Sequence, residues 1–400
     1  MHLSHLALRD FRNLAAVDLS PHPRFNVFCG ENGQGKTNLL ESIYWLATLR
    51  PLRARRLREL MRWGCAAARV EARIEADGLT HALAVAAVEG GRREAFREGK
   101  AARSAEYFGA LNVVDFTPDD VGLVRAPPAD RRQYLDRACF NERPGHLADA
   151  VAYRRALDAR NALLRERPDP LLLEVYEAPL AAAGARIITT RLAWLAALQA
   201  RFGAAFAAIS GPELPVGVSY RATWERPGAP EPAAEPPAGA APEWAPEALT
   251  EDGAELAPEG GAGATAELEE RLRALWAADR GRDRERGFTQ RGPHADDLVL
   301  RLAGRPARLY ASQGQQRALV LALKIAEIEQ LVAHRGVHPV LLLDDVSSEL
   351  DPRRTGRLFD FLDAFEGQVF ITTTDEAFLR LGTDRRTWAI AAGDVRSIRG

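Results

Sequence analysis

Four hundred residues with 46% hydrophobic content suffice for two domains, or for one large domain with an insertion. The 53 basic and 55 acidic side chains leave a net charge of −2, which excludes a polycation, so any nucleic-acid contact has to come from a local patch. Three cysteines, Cys29, Cys65 and Cys139, with no C-x-x-C pair exclude a disulfide framework and a cysteine zinc site.

The chain opens on Met1-His2-Leu3-Ser4-His5-Leu6, which lacks the charged-then-apolar pattern of a signal peptide. No apolar run is expected to reach membrane-span length, so the chain reads as cytosolic. Residues 1–20 alternate apolar and polar through Leu3, Leu6, Leu8, Phe11, Leu14, Val17 and Leu19, which predicts a hairpin with Arg12-Asn13 near its turn. The run Arg24–Phe28 reads as a strand, and Asn38–Leu46 is apolar at helical spacing. Between them Gly30-Glu31-Asn32-Gly33-Gln34-Gly35-Lys36-Thr37 matches G-x-x-x-x-G-K-[ST] in the strand-to-helix setting of a phosphate-binding loop. Glycines let the backbone N–H groups turn inward, and the helix adds its positive end. Lys36 is expected on the terminal phosphates and the Thr37 hydroxyl on magnesium. Only three of the 53 cations are lysines, Lys36, Lys100 and Lys324, so a compact point charge at the loop stands against an arginine background.

Arg50-Pro51-Leu52-Arg53-Ala54-Arg55-Arg56-Leu57-Arg58 holds five arginines and no acid. It is either a solvated face or a phosphate-backbone contact. Residues 67–100 alternate again around turns at Asp77-Gly78 and Glu89-Gly90-Gly91, a meander. Leu111–Phe116 predicts another strand. Helical period follows over about 130–141, 146–166 and 170–208, with no sustained heptad. Residues 226–263, rich in Pro, Ala, Gly and Glu, cannot bury enough apolar surface to offset ordering and read as a flexible insertion. A helix is expected at 266–286, a hairpin at 298–310 and a helix at 316–333. The run Val340-Leu341-Leu342-Leu343-Asp344-Asp345 predicts a buried strand with carboxylates at its C-terminal end, then come a helix at 352–365 and a strand at 368–374.

With a phosphate loop present, Asp344 is the expected magnesium-ordering carboxylate and Asp345 the base or water positioner. Ser312-Gln313-Gly314-Gln315-Gln316 resembles the signature loop of ABC-type ATPases, although Ser312 would also serve as an ordinary N-cap. Ser348-Glu349-Leu350-Asp351 resembles the D-loop. Together with Leu8–Asn13, Phe116-Thr117-Pro118-Asp119-Asp120, Arg131–Asp136, Gly292-Pro293-His294-Ala295-Asp296-Asp297 and Gln313–Arg317, these motifs make the chain resemble the RecF family, bacterial recombination mediators with an SMC-like ATPase head.

The resemblance implies an α/β fold, an ABC-type (SMC-like head) P-loop ATPase domain with an inserted helical lobe. Residues 1–120 and 287–400 would form the head and 121–286 the lobe. It implies ATP and Mg2+ held by Arg12, Asn13, Gly30, Glu31, Asn32, Gly33, Gln34, Gly35, Lys36, Thr37 and Asn38, with Thr37 and Asp344 on the metal. Lys36, Asp344 and Asp345 would act in hydrolysis, and Ser312, Gly314 and Gln315 of a second copy would complete the site. Partners implied are a second copy in an ATP-dependent homodimer, double-stranded and gapped DNA, RecR with RecO, and RecA indirectly. Arg50, Arg53, Arg55, Arg56 and Arg58 are the candidate DNA contacts. The chain departs from the transporter pattern: no glutamate follows Asp344, threonines 373 and 374 stand at the switch histidine, and Thr117-Pro118-Asp119 replaces the glutamine loop. A slow hydrolysis is the expectation. A transporter subunit would be far shorter between residues 38 and 311, and a structural SMC protein would need long heptad arrays.

Overall fold

The fold was analysed in a computed structural model, which describes residues 1–54, 56–166, 170–225, 262–345, 352–382 and 384–399. Arg55, the turn Ser348–Asp351 and the low-complexity stretch up to residue 261 therefore lie outside the described residues. In chain order the strands and helices begin β1 His2–Phe11, β2 Leu14–Leu19, β3 Phe25–Cys29, α1 Lys36–Thr48, β4 Ala67–Ala76, β5 Leu79–Val88, β6 Arg92–Arg97, β7 Lys100–Ala101, α2 Ser104–Tyr107 and β8 Val113–Phe116. They continue with α3 Pro128–Glu142, α4 His146–Glu166, α5 Pro170–Ser210, β9 Val216–Arg221, α6 Ala262–Arg286, β10 Asp297–Leu302, β11 Arg305–Pro306, α7 Ala307–Tyr310 and α8 Gln313–Arg335. The chain closes with β12 Val340–Asp344, α9 Pro352–Ala364, β13 Val369–Thr373, β14 Arg385–Ala391 and β15 Asp394–Arg399.

The described chain divides into two units. The first comprises Met1–Gly122, Ala204–Pro212 and Gln313–Gly400. Its site-bearing sheet has the order β15-β14-β3-β13-β12-β8. β3 lies parallel between β13 and β14, and β12 lies parallel between β13 and β8. Both strands are covered on both faces, which is why Phe25–Phe28 and Val340–Leu343 are unbroken buried runs instead of alternating ones. Phe28 stacks on Trp388 at 4.9 Å and on Phe370 at 6.2 Å. The other sheet, β2-β1-β4-β5-β6-β7, is antiparallel. It turns Leu6, Leu8, Val70, Ile74 and Val85 to the core that also takes the buried side of α1. Its tight turns follow a rule: Asp77-Gly78 and Glu98-Gly99 both have two positive φ values, the two-residue hairpin that matches strand twist.

The second unit comprises Leu123–Gly203 and Glu213–Ser312. It is mainly helical, with a three-stranded sheet ordered β11-β10-β9. Two sequence expectations change here. The hairpin at 298–310 is short: β10 meets β11 over two residue pairs, then α7 begins, and β10's long partner is β9. Residues 287–312 also belong with the helical unit, not with the head, because β10 is hydrogen-bonded to β9 and to α3 through Arg131 and Asp297. In the first unit, α8 begins three residues earlier than expected, at Gln313.

One helix is long and apolar enough to cross a membrane by length and composition, Leu171–Ser210, contrary to the sequence expectation. Three of its charges are paired within the second unit: Glu177 takes Arg160 and Arg280, Arg191 takes Asp136, and Arg186 takes Asp149.

The second unit is fastened by buried polar groups. Arg160, fully buried, spans Glu177 and Asp283 at 2.9 and 2.7 Å. His294, partly buried, lies between the Tyr153 hydroxyl, 2.6 Å from Nδ1, and the Thr289 carbonyl, 2.9 Å from Nε2. Nε2–H donates to the carbonyl, and in the neutral ring that the lowered pKa favours Nδ1 accepts from the Tyr153 hydroxyl. Burial, with Arg132, Arg191 and Arg160 nearby, pushes its pKa down to about 4. The unfolded imidazole protonates near 6.5, so between pH 6.5 and 4 the unfolded chain binds the extra proton and stability falls with pH. The loss from this group should approach roughly 3 kcal/mol by pH 4. Thermal unfolding of wild type and His294→Gln between pH 7.5 and 4.5 checks this: the variant should show the flatter profile.

Candidate functional site

The site is built where three backbone segments crowd the phosphate loop. β3 delivers Gly30, whose N–H donates to the Thr373 carbonyl of β13 at 3.3 Å. A Cβ at Gly30 would stand 2.3 Å from the Ile390 carbonyl of β14, so this position tolerates no side chain. Gly35 has φ +116° and a Cβ there would meet the Asn13 amide at 2.7 Å, so the loop's last glycine serves both conformation and close approach. Asn13, from the β1–β2 turn, donates to the Gln34 carbonyl at 2.9 Å and accepts from the Asn38 amide at 2.8 Å. From the other side the two-residue turn Ala392-Gly393 braces Gln34: Gly393 N–H donates to its carbonyl at 3.1 Å, and Ala392 N–H donates to its Oε1. The loop is thus shaped before any ligand arrives.

Lys36, 6% exposed, folds its ammonium onto the carbonyls of Gly30 and Glu31. Glu31, Asn32 and Gly33 are exposed at the loop's tip. The Thr37 hydroxyl donates toward the Asp344 carboxylate, 2.9 Å from both oxygens. Asp344 ends β12 and also accepts from the Thr372 hydroxyl at 2.7 Å. Thr37 and Asp344 are hard oxygen donors in contact at a helix N-terminus, a set that fits magnesium. Asp345 follows in the left-handed region, φ +47°, with its N–H on the Thr372 hydroxyl at 3.0 Å. That unusual backbone turns the chain sharply after the strand, as an active-site residue can require.

Other predicted residues fall differently. Arg12 was expected at ATP; it makes a two-point ion pair with Glu41 of α1, at 2.8 and 3.1 Å. Arg53 was expected on a DNA-facing patch. Its guanidinium lies 3.1 Å from Asp344 and 3.3 Å from Asp119, and its backbone N–H donates to Glu41 at 3.0 Å. Arg53 thus compensates the buried Asp344 carboxylate while remaining exposed to solvent. Arg50, Arg53, Arg56 and Arg58 are all exposed. Gly314 and Gln315 open α8 in the first unit, Gly314 beside the Arg354 guanidinium, while exposed Ser312 ends the second unit.

Three contributors escaped sequence reading: Glu41, Thr372 and the Ala392-Gly393 turn. Glu41, 1% exposed, ties both the β1–β2 turn and the arginine loop to α1. Its signal was a carboxylate in the middle of an apolar helical run. Thr372 and the Ala392-Gly393 turn had no local signal, because their partners are distant in sequence. Lys324, 2% exposed, pairs with Asp120 at 3.1 Å and donates to the Asp115 carbonyl at 2.8 Å, fixing the segment after β8.

The profile of the RecF/RecN/SMC N terminal domain matches residues 2–391. The DNA replication and repair protein RecF of Anaeromyxobacter dehalogenans (strain 2CP-C) is 48% identical, covering 99% of each chain. That of Myxococcus xanthus (strain DK1622) is 46% identical, covering 100% of this chain and 98% of the relative. A solved structure of the recombination mediator protein RecF with ATP, in the RecFOR pathway, superimposes with a TM-score of 0.83 at 27% identity over 99% of both chains.

Gly30→Ala tests the brace. The new methyl has to displace β14, so nucleotide affinity should fall more than about tenfold, with a lowered unfolding temperature. Calorimetric titration with an ATP analogue measures it; unchanged affinity would contradict the close approach to Ile390.

Proposed function

The chain belongs to the RecF family of ABC-type, SMC-like ATPases, and from that premise we propose that it is an ATP-dependent DNA-binding protein of recombinational repair and replication restart, acting in the cytoplasm. ATP binds on the loop Gly30–Asn38, with the phosphates on its backbone N–H groups, the α1 N-terminus and Lys36. A bound magnesium ion, held by Thr37 and Asp344, would supply charge neutralisation at the phosphates. Asp345 positions and deprotonates the attacking water. A carboxylate on a one-carbon stem, with threonines in place of a switch histidine, suits slow turnover, a timer that resets the protein more than a motor.

A second copy completes the site with Ser312, Gly314 and Gln315, so ATP joins two heads. The dimer binds double-stranded DNA and gaps or single-strand/double-strand junctions, and helps load RecA with RecR and RecO. The observation that carries the ATPase reading is the Thr37–Asp344 contact below Lys36, because it brings phosphate loop and acidic strand to one point. What supports the repair role is the family and the names of relatives nearly half identical over their full length.

Light scattering with a non-hydrolysable ATP analogue tests the shared site. Wild type should double in mass, Ser312→Arg should stay a monomer, and Lys36→Arg should lose at least about tenfold in hydrolysis while losing less in binding. A monomeric wild type at saturation would overturn the dimer.

Electrophoretic binding to gapped duplex over a salt series tests the basic loop. Arg50, Arg56 and Arg58 changed together to Ala should lower the salt slope by about 2–3, and an unaltered slope would return these arginines to a solvated face.

A further inference from the structure

Between Arg50 and Arg62 the chain carries six arginines and one acid, Glu59. Immediately after them stands Trp63, 100% exposed. Trp45, Trp194, Trp224, Trp276 and Trp388 are all buried, at 7% exposure or less. The fold therefore hides its other described indoles and presents this one.

Trp63 sits on a fixed platform. Leu60 is fully buried, and Met61 bridges Phe11 at the end of β1. Arg12 N–H donates to the Leu60 carbonyl and Arg62 N–H to the Asp10 carbonyl, both at 2.8 Å. Cys65 N–H then closes a turn on the Arg62 carbonyl at 3.0 Å, with Gly64 at φ +81°. This is a type II turn with Trp63 at its first central position and the glycine where φ must be positive. The backbone is committed on both sides, so the indole is held out and its display costs little further ordering on binding.

Its surroundings select the occupant. An apolar protein surface would seek apolar neighbours around an anchoring tryptophan. Here the neighbours in sequence, Arg58, Glu59, Arg62 and Gly64, are all exposed, and the segment as a whole is strongly basic. A π-face within a cationic stretch fits a polyanion that carries π-faces of its own. In paired duplex those faces are already covered by stacked neighbours. We propose that Trp63 is a base-stacking contact for unpaired nucleotides, taking a base at the edge of a gap while the neighbouring arginines hold phosphates. This rests on the DNA-binding reading above and sharpens it: the tryptophan, not the charge, separates gapped from fully paired DNA.

The test compares wild type, Trp63→Ala and Trp63→Phe in the presence of an ATP analogue. The probes are a fully paired duplex, the same duplex with an oligo(dT) gap, and one whose gap is abasic. Trp63→Ala should weaken the gapped complex about 5- to 100-fold, the contribution of one base–aromatic stack, and leave the paired duplex within about twofold. Trp63→Phe should recover most of the loss, the abasic gap should bind wild type and Trp63→Ala alike, and the salt slope should not move. Full exposure predicts an unaltered unfolding temperature, which separates these effects from misfolding. Equal affinity of wild type and Trp63→Ala for the oligo(dT) gap would overturn the proposal while leaving the DNA-binding reading intact. An equal loss on all three probes would also overturn it, because the indole would then contact something other than a base. Wild type binding none of the probes would remove the DNA-binding reading, and the stacking contact with it.

Discussion

A hydroxyl and a carboxylate 2.9 Å apart, on residues 307 positions apart in the chain, join the phosphate loop to the acidic strand end. Thr37 opens the helix after the phosphate loop and Asp344 ends β12. Neither segment could place the other locally. β3 and β12 are not even neighbours; β13 lies between them and pairs parallel with both. The site therefore exists only when segments from both ends of the chain share one parallel sheet. Parallel pairing needs long crossovers and burial on both faces, which explains why the strands that carry chemistry are also the most uniformly apolar. The loop itself is set by backbone approach, with β14, the β1–β2 turn and the β14–β15 turn pressing on Gly30, Gly35 and Gln34.

Charge around this point is arranged as a chain of partners. Glu41, inside α1, accepts from Arg12 and from the backbone of Arg53, while the Arg53 guanidinium faces Asp344 and Asp119. The arginine-rich loop is thus tethered at one end to the carboxylate that terminates the acidic strand. Its other end is pinned to β1 through Met61 and Arg62. A charge introduced beside Asp344 would compete with Arg53 for that ion pair.

Much of this was legible in the sequence wherever one segment carried its own signal. The phosphate loop announced itself by spacing, β12 by an apolar run ending in two acids, and the meander by alternation. The turn Asp77-Gly78 was readable because two positive φ values demand those residue types. What escaped depended on distant partners. Arg12 and Arg53 look like free cations until Glu41, Asp119 and Asp344 are placed beside them. Gly393 looks like a turn glycine, yet a Cβ there would lie 2.3 Å from the Asn13 carbonyl. Trp63 carries no period and no motif; only its exposure distinguishes it from the buried tryptophans.

The motif Gly292–Asp297 shows the converse, a strong sequence signature with a mechanical use. Pro293 offers its carbonyl to Arg191 at 2.7 Å, and Asp296 accepts from Thr223 and from the Tyr220 hydroxyl. Asp297 takes a two-point pair from Arg131 at 2.8 and 2.7 Å and a further bond from Arg221. Gly292 is at φ +133°, with the Tyr153 hydroxyl 2.9 Å from where a Cβ would sit. Six residues thus meet α3, α4, α5 and β9 at once. Buried charges contribute little net stability, since desolvation consumes most of the attraction, but each missing partner is expensive. Such a cluster penalises every arrangement except the one that satisfies all of its members. Its residue types follow from that demand: a glycine for the approach, a histidine that can accept and donate, Asp297 for arginines on α3 and β9, and Asp296 for the hydroxyls of Tyr220 and Thr223. A motif can be specific to a fold without touching the chemistry the fold performs.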